Sequence, residues 1–449
     1  MAPQRGVTYS LRGDAQEIHV KRLVRIVFVL AFLFLIAQIV RPSIPSQPAS
    51  AEIHAPEHVR QILRKDCYSC HSDERRLAWF DEAEPAYWLV RKDILTAREH
   101  LNFSTLGSKP DAVQKATLYE AVNMIQLGTM PLPRFLALHH EARVTPGELA
   151  TLKDYLSPWS TPAVPTDTKG AVPSVTRVAL ESVKPEWNGL PFDPTFETWR
   201  PISFTDRGDN HTFRFILGNE IAARAVAEGK ISPWPDGAKL AKIAWKQEPD
   251  NNGALRAGDF VQVELMVKDA RKYASAAGWG WGRWRGLDLK PYGKDATFVN
   301  ECTGCHLPVK GDDNVYTLPM TTATVPGTEV VNNHAVMLPA SLPYQPLTWT
   351  PMTMLADPTK QTLSVLYGNE AALHHGPGAV VALVTWAERD DPHWFGGRIP
   401  DSPVRVEFLA NGAEYQQFAG PAWAKVEAAT DIAAQRKEFL LSLKPASLP

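Results

Sequence analysis

The stretch FVNECTGCHLPVKGDDNVYT, residues 298–317, decides how this 449-residue chain is read. It holds Cys302 and Cys305, with His306 directly after the second. The other two cysteines of the chain repeat the arrangement in KDCYSCHSD, residues 65–73, as Cys67, Cys70 and His71. Cys-x-x-Cys-His is the attachment spacing of c-type haem: two thiols add across the two vinyl groups, and the next residue is held beneath the iron as its proximal ligand. A bare Cys-x-x-Cys also suits a redox dithiol, and two such pairs suit a zinc site. A dithiol or a disulfide explains neither histidine, and Cys67 and Cys302 are far apart in sequence for one zinc. The spacing therefore predicts two covalently attached haem c groups, with His71 and His306 as iron ligands.

Covalent haem attachment belongs to the outer side of a bacterial membrane, and the N-terminus agrees. IVFVLAFLFLIAQIV, Ile26 to Val40, is uncharged and bracketed by Arg25 and Arg41. Counting Leu23 to Arg41 brings the apolar run close to the ~20 residues a membrane helix needs. Arg5, Arg12, Lys21, Arg22 and Arg25 outweigh Asp14 and Glu17 before it, which keeps that end cytoplasmic. A cleaved signal peptide is the alternative, with Ala49-Ser50-Ala51 as the cleavage site. The long charged leader and the spacer RPSIPSQP favour an uncleaved single-pass anchor in the inner membrane. Either reading puts the haem motifs in the periplasm.

A net charge of −2 gives no footprint for nucleic acid. The length predicts two to three domains. Residues 51–159 read as helical: EHVRQILRKD puts Val59, Ile62 and Leu63 on one face, and TLYEAVNMIQL does the same with Leu118, Val122 and Ile125. TPGELATLKDYL opens with Thr145 as N-cap, Pro146 in the first turn and Glu148 closing a capping box, then turns Leu149, Leu152 and Leu156 to the core. A linker rich in Pro, Ser and Thr follows, at 160–184. Beyond it the period changes to two: TFRFIL alternates Phe213, Phe215 and Leu217, and DFVQVELMV alternates Val261, Val263, Leu265 and Val267. These are strands, with a short helix at EIAARAVAEG.

Two resemblances follow from these segments. DCYSCHSDERRLAWF, REHLNFS and MPLPRF, with the helices around them, resemble the small membrane-anchored haem-binding domain of bacterial c-type cytochromes. TFRFILGNEIAARAVAEGKISPWPDGAKLAKIAW, RAGDFVQVELMVKDARKYA and FVNECTGCHLPVKGDDNVYT resemble the cytochrome P-460 family and its relative cytochrome c′-beta, over about 199–319. That resemblance implies an antiparallel β-rich domain that usually dimerises, with its haem motif at the C-terminal end. Catalytic members oxidise hydroxylamine and carry a lysine cross-linked to the haem ring and a distal arginine. Their relatives bind nitric oxide without a catalytic role. Here Lys242, a few residues after Asp236-Gly237, matches the lysine and Arg214 matches the arginine, with Lys239 and Lys246 as competitors for the cross-link. A one-residue slip in a strand would turn either side chain to the other face.

The segment 343–449 has no cysteine but echoes its predecessor in order: ETWRPISF returns as LTWTPMTM, ILGNEIA as LYGNEAA, and GAKLAKIAW as GAVVALVTW. In this copy Arg214 becomes Ser364 and Lys242 becomes Leu383. The expectation is a haem-free degenerate repeat that takes the place of a dimer partner. His374 and His375 in LHHGPG read as a turn pair rather than metal ligands. The fold class expected is thus multidomain α and β: a leader and transmembrane helix at 1–42, a helical c-type haem domain at 51–159, the linker, a P-460-like haem domain at 185–342 and its haem-free repeat at 343–449.

For the first haem, Met130 in GTMPLP is the favoured sixth ligand, since a Met-Pro loop can present a thioether and raise the potential. His139 and His140 are alternatives, and Met124 reads as core. For the second haem Met320 follows the motif too closely to reach the distal face, and the resemblance implies an open or apolar distal side. Arg214 would orient a polar substrate, and Glu264 and Asp236 are candidate acid/base groups. Three functions fit: oxidation of hydroxylamine or a similar small nitrogenous molecule at the second haem with electrons leaving through the first to a periplasmic or membrane acceptor, electron transfer alone, or nitric-oxide binding without turnover.

Overall fold

The computed structural model describes residues 11–157, 178–250, 253–325, 330–427 and 429–448. Most of the expected linker therefore lies outside the described residues. Its last part, 178–184, lies on the β-rich core, with Val178, Leu180 and Val183 packed against it. Two compact units divide the chain. One takes in the described residues up to Leu118 together with Pro131–Leu152, and the other takes in Tyr119–Met130 and the described residues from Lys153 onward.

The first unit is helical. Its long N-terminal helix α1 (Leu11–Ile39) contains the apolar run Lys21–Ile39, with a mean hydropathy of 2.3 and no residue of its most apolar window buried. Length and composition are those of a membrane span or a signal sequence. In α2 (Glu57–Asp66), Val59, Ile62 and Leu63 are buried, the i, i+3, i+4 face that the sequence spacing dictates. The helix ends at Cys67, and the single turn α3 (Tyr68–His71) carries the rest of the haem motif. The helix α4 (Ala86–His100) buries Tyr87 and Ile94, and α5 (Phe103–Leu106) is capped by Asn102, whose side chain accepts from the Ser104 N–H. Tyr68, fully buried, stacks on Phe103 at 5.4 Å. The unit takes in α6 (Asp111–Gln126) as far as Leu118, then α7 (Pro133–Leu136) and α8 (Pro146–Leu156) as far as Leu152. The capping box of α8 forms as the sequence dictates: Thr145 N–H donates to Glu148 Oε2 at 2.8 Å and Glu148 N–H to Thr145 Oγ1 at 3.2 Å.

The second unit is built on one antiparallel, 12-stranded sheet. Its first half contains β1 (Arg200–Arg207), β2 (Thr212–Gly218), α9 (Glu220–Glu228), β3 (Lys239–Pro249), β4 (Leu255–Lys268), β5 (Trp279–Arg285), β6 (Lys290–Pro291) and the haem-motif helix α10 (Val299–His306). The second half repeats this as β7 (Thr350–Asp357), β8 (Thr362–Gly368), α11 (Glu370–Leu373), β9 (Val380–Asp390), β10 (Gly397–Ala410), β11 (Glu414–Ala419), β12 (Ala424–Lys425) and α12 (Thr430–Ser442). The four long strands of each half run 8, 7, 11 and 14 residues. Even the bulge is shared, between Pro201 and Ser203 in β1 and between Pro351 and Thr353 in β7.

The halves do not form separate bodies. β4 pairs with β7 through Leu255↔Ala356 and Arg256↔Leu355, and β1 pairs with β10 through Asp206↔Arg398 and Arg207↔Gly397. These seams close β1–β4 and β7–β10 into one barrel, which leaves neither half with a bare edge at the junction. The barrel interior is a dry core drawn from both halves, including Phe204, Phe215, Trp245, Tyr367, Trp386 and Phe408. Strand alternation sends the intervening residues outward, and the two outer faces differ. On the second half Leu355, Leu366, Leu383 and Leu409 are covered by Leu440 and Leu443 at the end of α12. Glu407, directly opposite Leu383, is fully buried and held by Arg436 of α12 through two bonds of 2.7 Å. On the first half the equivalent face is mixed: Ile202, Ile216 and Leu240 pack with Trp281 and Val315, Val299 and Cys302 of α10 lie against them, and charged side chains stand beside them.

Candidate haem sites

The first motif is held by its neighbours in the helical unit. His71 Nδ1 faces the Leu101 carbonyl at 3.0 Å, which orients the ring and leaves Nε2 for a metal. Burial keeps the imidazole neutral by lowering its pKa. Burial likewise pushes the Cys67 thiol up to about 12 and Cys70 up to about 11. Of the residues weighed as sixth ligand, His139 is buried and engaged: Nε2 lies 3.1 Å from Asp81 and Nδ1 3.3 Å from Glu141, with the ring stacked on Phe135 at 4.0 Å. His140 is exposed. Met130 is half-buried in the turn after α6, its N–H bonded to the Met124 carbonyl at 3.1 Å.

The second motif follows the same logic with different parts. His306 Nδ1 lies 2.7 Å from the Asn314 carbonyl. That carbonyl is brought back to the helix by two consecutive left-handed residues, Asp313 at φ 51° and Asn314 at φ 65°, the residue types that tolerate this conformation best after glycine. Asp313 is pinned in turn: its carboxylate takes Lys268 Nζ at 2.7 Å and the Trp234 N–H at 2.9 Å, and its carbonyl takes Trp279 Nε1 at 2.8 Å. The His306 ring lies 4.6 Å from Trp281 and is edge-on to Tyr316 at 5.1 Å. Tyr316 donates to the Cys305 carbonyl at 2.6 Å. From the second half of the barrel, His393 Nδ1 lies 2.7 Å from the Tyr316 carbonyl and Trp394 packs edge-on to the Tyr316 ring at 5.4 Å.

Facing outward from four adjacent strands is a charged row. Lys242 on β3 is directly opposite Glu264 on β4, which is directly opposite Arg283 on β5. Lys242 Nζ lies 2.6 Å from Glu264 and Arg283 Nε 3.2 Å from it, while Gln262 donates to the same carboxylate. Arg214 on β2 points to the same side, opposite Ala244 and two pairs along the register from Lys242. Burial would raise the Glu264 pKa, but Lys242 and Arg283 hold it down at about 2. Burial lowers Lys242 to about 8 despite Glu264. Burial, reinforced by Arg207, lowers Arg214 to about 9. The fields of Lys242, Glu264 and Arg283 reach both Cys302 and His306, so row and motif share one site.

The competitors for Lys242 are engaged elsewhere: Lys239 with Asp193 at 2.6 Å and Lys246 with Asp259 at 3.3 Å. Asp236, read from sequence as a possible acid/base group, is corrected. It is exposed and accepts from the Ala270 N–H at 2.8 Å in a loop that carries none of the row. Met320 packs against the barrel core, its N–H on the Ile202 carbonyl. His374 is exposed, beside Glu370 at 3.2 Å. Sequence reading missed Arg283, Gln262, Asn314 and Tyr316. Arg283 carried a usable signal, since Arg283 and Arg285 alternate with Trp284 in the run WGWGRWR. Asn314 and Tyr316 act through a backbone carbonyl and a packing contact, which leave no mark in residue type.

The residues fit a covalently held haem at both motifs: paired free thiols, a histidine oriented through Nδ1, and at the second an Arg214 Nε that is buried without a hydrogen-bond partner among the described residues. The protein is a haem cytochrome. The family model described as a haem-binding domain matches residues 26–158, and that described as cytochrome P460 matches residues 194–317. The chain is thus a fusion of a haem-binding segment with a cytochrome-P460-like segment, and its cofactor is haem with its iron. No curated protein matches the chain.

Proposed function

We propose that the protein is a membrane-anchored dihaem c-type cytochrome whose second haem meets a small nitrogenous molecule, of the hydroxylamine or nitric-oxide type, and whose first haem relays electrons to a periplasmic or membrane partner. The observation that carries this reading is the Arg214–Lys242–Glu264–Arg283 row beside Cys302 and His306. A site built only to shuttle electrons has no use for a partly buried cluster of that charge. Bound iron would supply the redox chemistry. Arg214, with a buried N–H lacking a partner, is available to hold a polar substrate atom. Glu264, held near a pKa of 2, is a poor base at neutral pH, whereas Lys242, lowered to about 8, is matched to proton transfer there.

Lys242 also supports a second reading. Its Nζ is satisfied by Glu264 at 2.6 Å, which favours a lysine that stays free of the haem ring, as in a nitric-oxide binder or an electron carrier. The optical spectrum of the reduced protein, matured with its haem, separates the two. A strongly red-shifted second Soret band that vanishes in Lys242→Ala supports a cross-linked, substrate-oxidising site. Two ordinary c-type spectra overturn that and leave gas binding or electron transfer.

An uncleaved anchor is supported by the segment after α1. Ile44 and Ile53 are buried, the Ser50 and Ala51 N–H groups bond the Ser104 carbonyl, and the Gly107 N–H bonds the Ala51 carbonyl. Cleavage at Ala49-Ser50-Ala51 would remove Ile44 from the core. The second half of the barrel we read as a haem-free copy, supported by the shared strand lengths and by α12 lying over its outer face.

A further inference from the structure

We infer that the helical haem-binding unit lies against the phospholipid surface through Trp79, Trp88 and Leu89, so that α1 and this unit meet the bilayer as one piece. The inference rests on the reading of α1 as a membrane span.

The end of α1 has no slack. Gln38 exchanges two hydrogen bonds with the backbone of Glu84, at 3.4 Å and 3.1 Å. Trp88 Nε1 donates to the Val40 carbonyl at 3.1 Å, Tyr87 O–H to the Pro42 carbonyl at 2.8 Å, and Arg91 Nε to the Ser43 carbonyl at 3.0 Å. Arg41 lies over the Tyr87 ring at 4.2 Å and pairs with Glu82. The first turns of α4 are therefore tied to residues 38–43, where the apolar run of α1 stops.

That run, 19 residues from Lys21 to Ile39, is about 28 Å long as a helix, close to the hydrocarbon thickness of a bilayer. Its end at Ile39 and Val40 then sits at the outer lipid boundary, and so does whatever is bonded to it. Trp88 is 43% exposed and Leu89 49%, side by side on α4. Trp79 is 83% exposed, in the turn whose Glu82 holds Arg41. Outside α1, the other large apolar side chains exposed in this unit are Val40, at the same boundary, and Val113 and Leu138, among the described residues. The headgroup zone selects for tryptophan, which offers a broad apolar ring and one N–H. Trp88 has that N–H satisfied by Val40 and its ring still outward. Arg91 and Lys92 on the same helix supply cations for lipid phosphate.

The test uses the full-length, haem-loaded protein in nanodiscs of phosphatidylethanolamine and phosphatidylglycerol that contain a phospholipid with a photoreactive group beside its headgroup. After illumination, labelled peptides are mapped by mass spectrometry. Label on the peptide spanning 79–91 as well as at the ends of α1 is expected, with a drop of tenfold or more on 79–91 in Leu89→Glu. Label at α1 alone overturns this inference and leaves the anchor standing. Label at neither overturns both. An undiminished signal on 79–91 in Leu89→Glu also overturns it, since a charge there should lift the surface from the lipid.

Discussion

Glu264 carries the electrostatics of the second site. It is the carboxylate shared by Lys242 and Arg283, with Arg214 nearby, and without it those cations would repel one another in a partly dry place. Glu264→Gln is expected to lower the pKa of Lys242 below its present value of about 8, because its stabilising anion is gone. It is also expected to cost stability. Breaking a fully buried pair costs ~3–5 kcal/mol. Here the Lys242 and Glu264 side chains retain 26% and 15% exposure, so a loss of ~1–3 kcal/mol is the expected result of chemical denaturation, reduced by solvent screening. Lys242→Met combined with Glu264→Gln should recover part of it, since removing both charges is gentler than removing one.

At the scale of the element, the barrel seam and the last helix make separate predictions. Asp206 stands on β1 opposite Arg398 of β10, with a Gln247 hydrogen bond, and is buried. Burial, reinforced by Glu388, raises its pKa to about 7. Its folded pKa thus exceeds the unfolded value near 4, so the folded state binds the extra proton between those limits. Stability from this group is full below about pH 4 and is lost as pH climbs to about 7, by at most ~4 kcal/mol. Asp206→Asn, which keeps an acceptor for Gln247, should flatten that part of the pH–stability profile and raise the melting temperature at pH 8. On the other outer face, Leu440→Ala should destabilise by ~2–4 kcal/mol through the cavity left under α12. Arg436→Ala should cost ~1–3 kcal/mol, because the buried Glu407 carboxylate loses its two-bond partner and keeps only Tyr415 and Arg405. Both are read by thermal unfolding of the haem-loaded protein.

For the whole molecule, the consequence of the barrel is its oligomeric state. The edges that the first half alone would expose, β1 and the start of β4 before its pairing with β5, are met by β10 and β7 of the same chain. The protein in detergent is therefore expected to be monomeric by size-exclusion with light scattering. A tight dimer joined through the barrel would overturn the reading of the second half as an internal partner. Truncation after 342 should behave differently, dimerising or aggregating, because both edges are then open.

Much of this was legible from residues alone. Two Cys-x-x-Cys-His motifs name a covalent cofactor because the chemistry demands that spacing. The faces of α2 and α8, with the Thr145–Glu148 box, follow from local periodicity and capping, which involve residues a turn or two apart. The repeat was legible because equal strand lengths keep their sequence echoes in step. Strand alternation also placed Phe213, Phe215 and Leu217 together on the face that the core buries. Other features depended on contacts between residues distant in sequence. No local signal tells that β1 pairs with β10 or β4 with β7, since backbone hydrogen bonds are blind to side-chain identity. Nor could residue type distinguish Glu264, which joins Lys242 and Arg283, from Asp236, which serves a remote loop. The sequence by itself determined which groups this protein carries and where its strands and helices begin. Only the tertiary structure decided which of those groups meet, because register and closure are set by the packing of one shared core rather than by any stretch of chain.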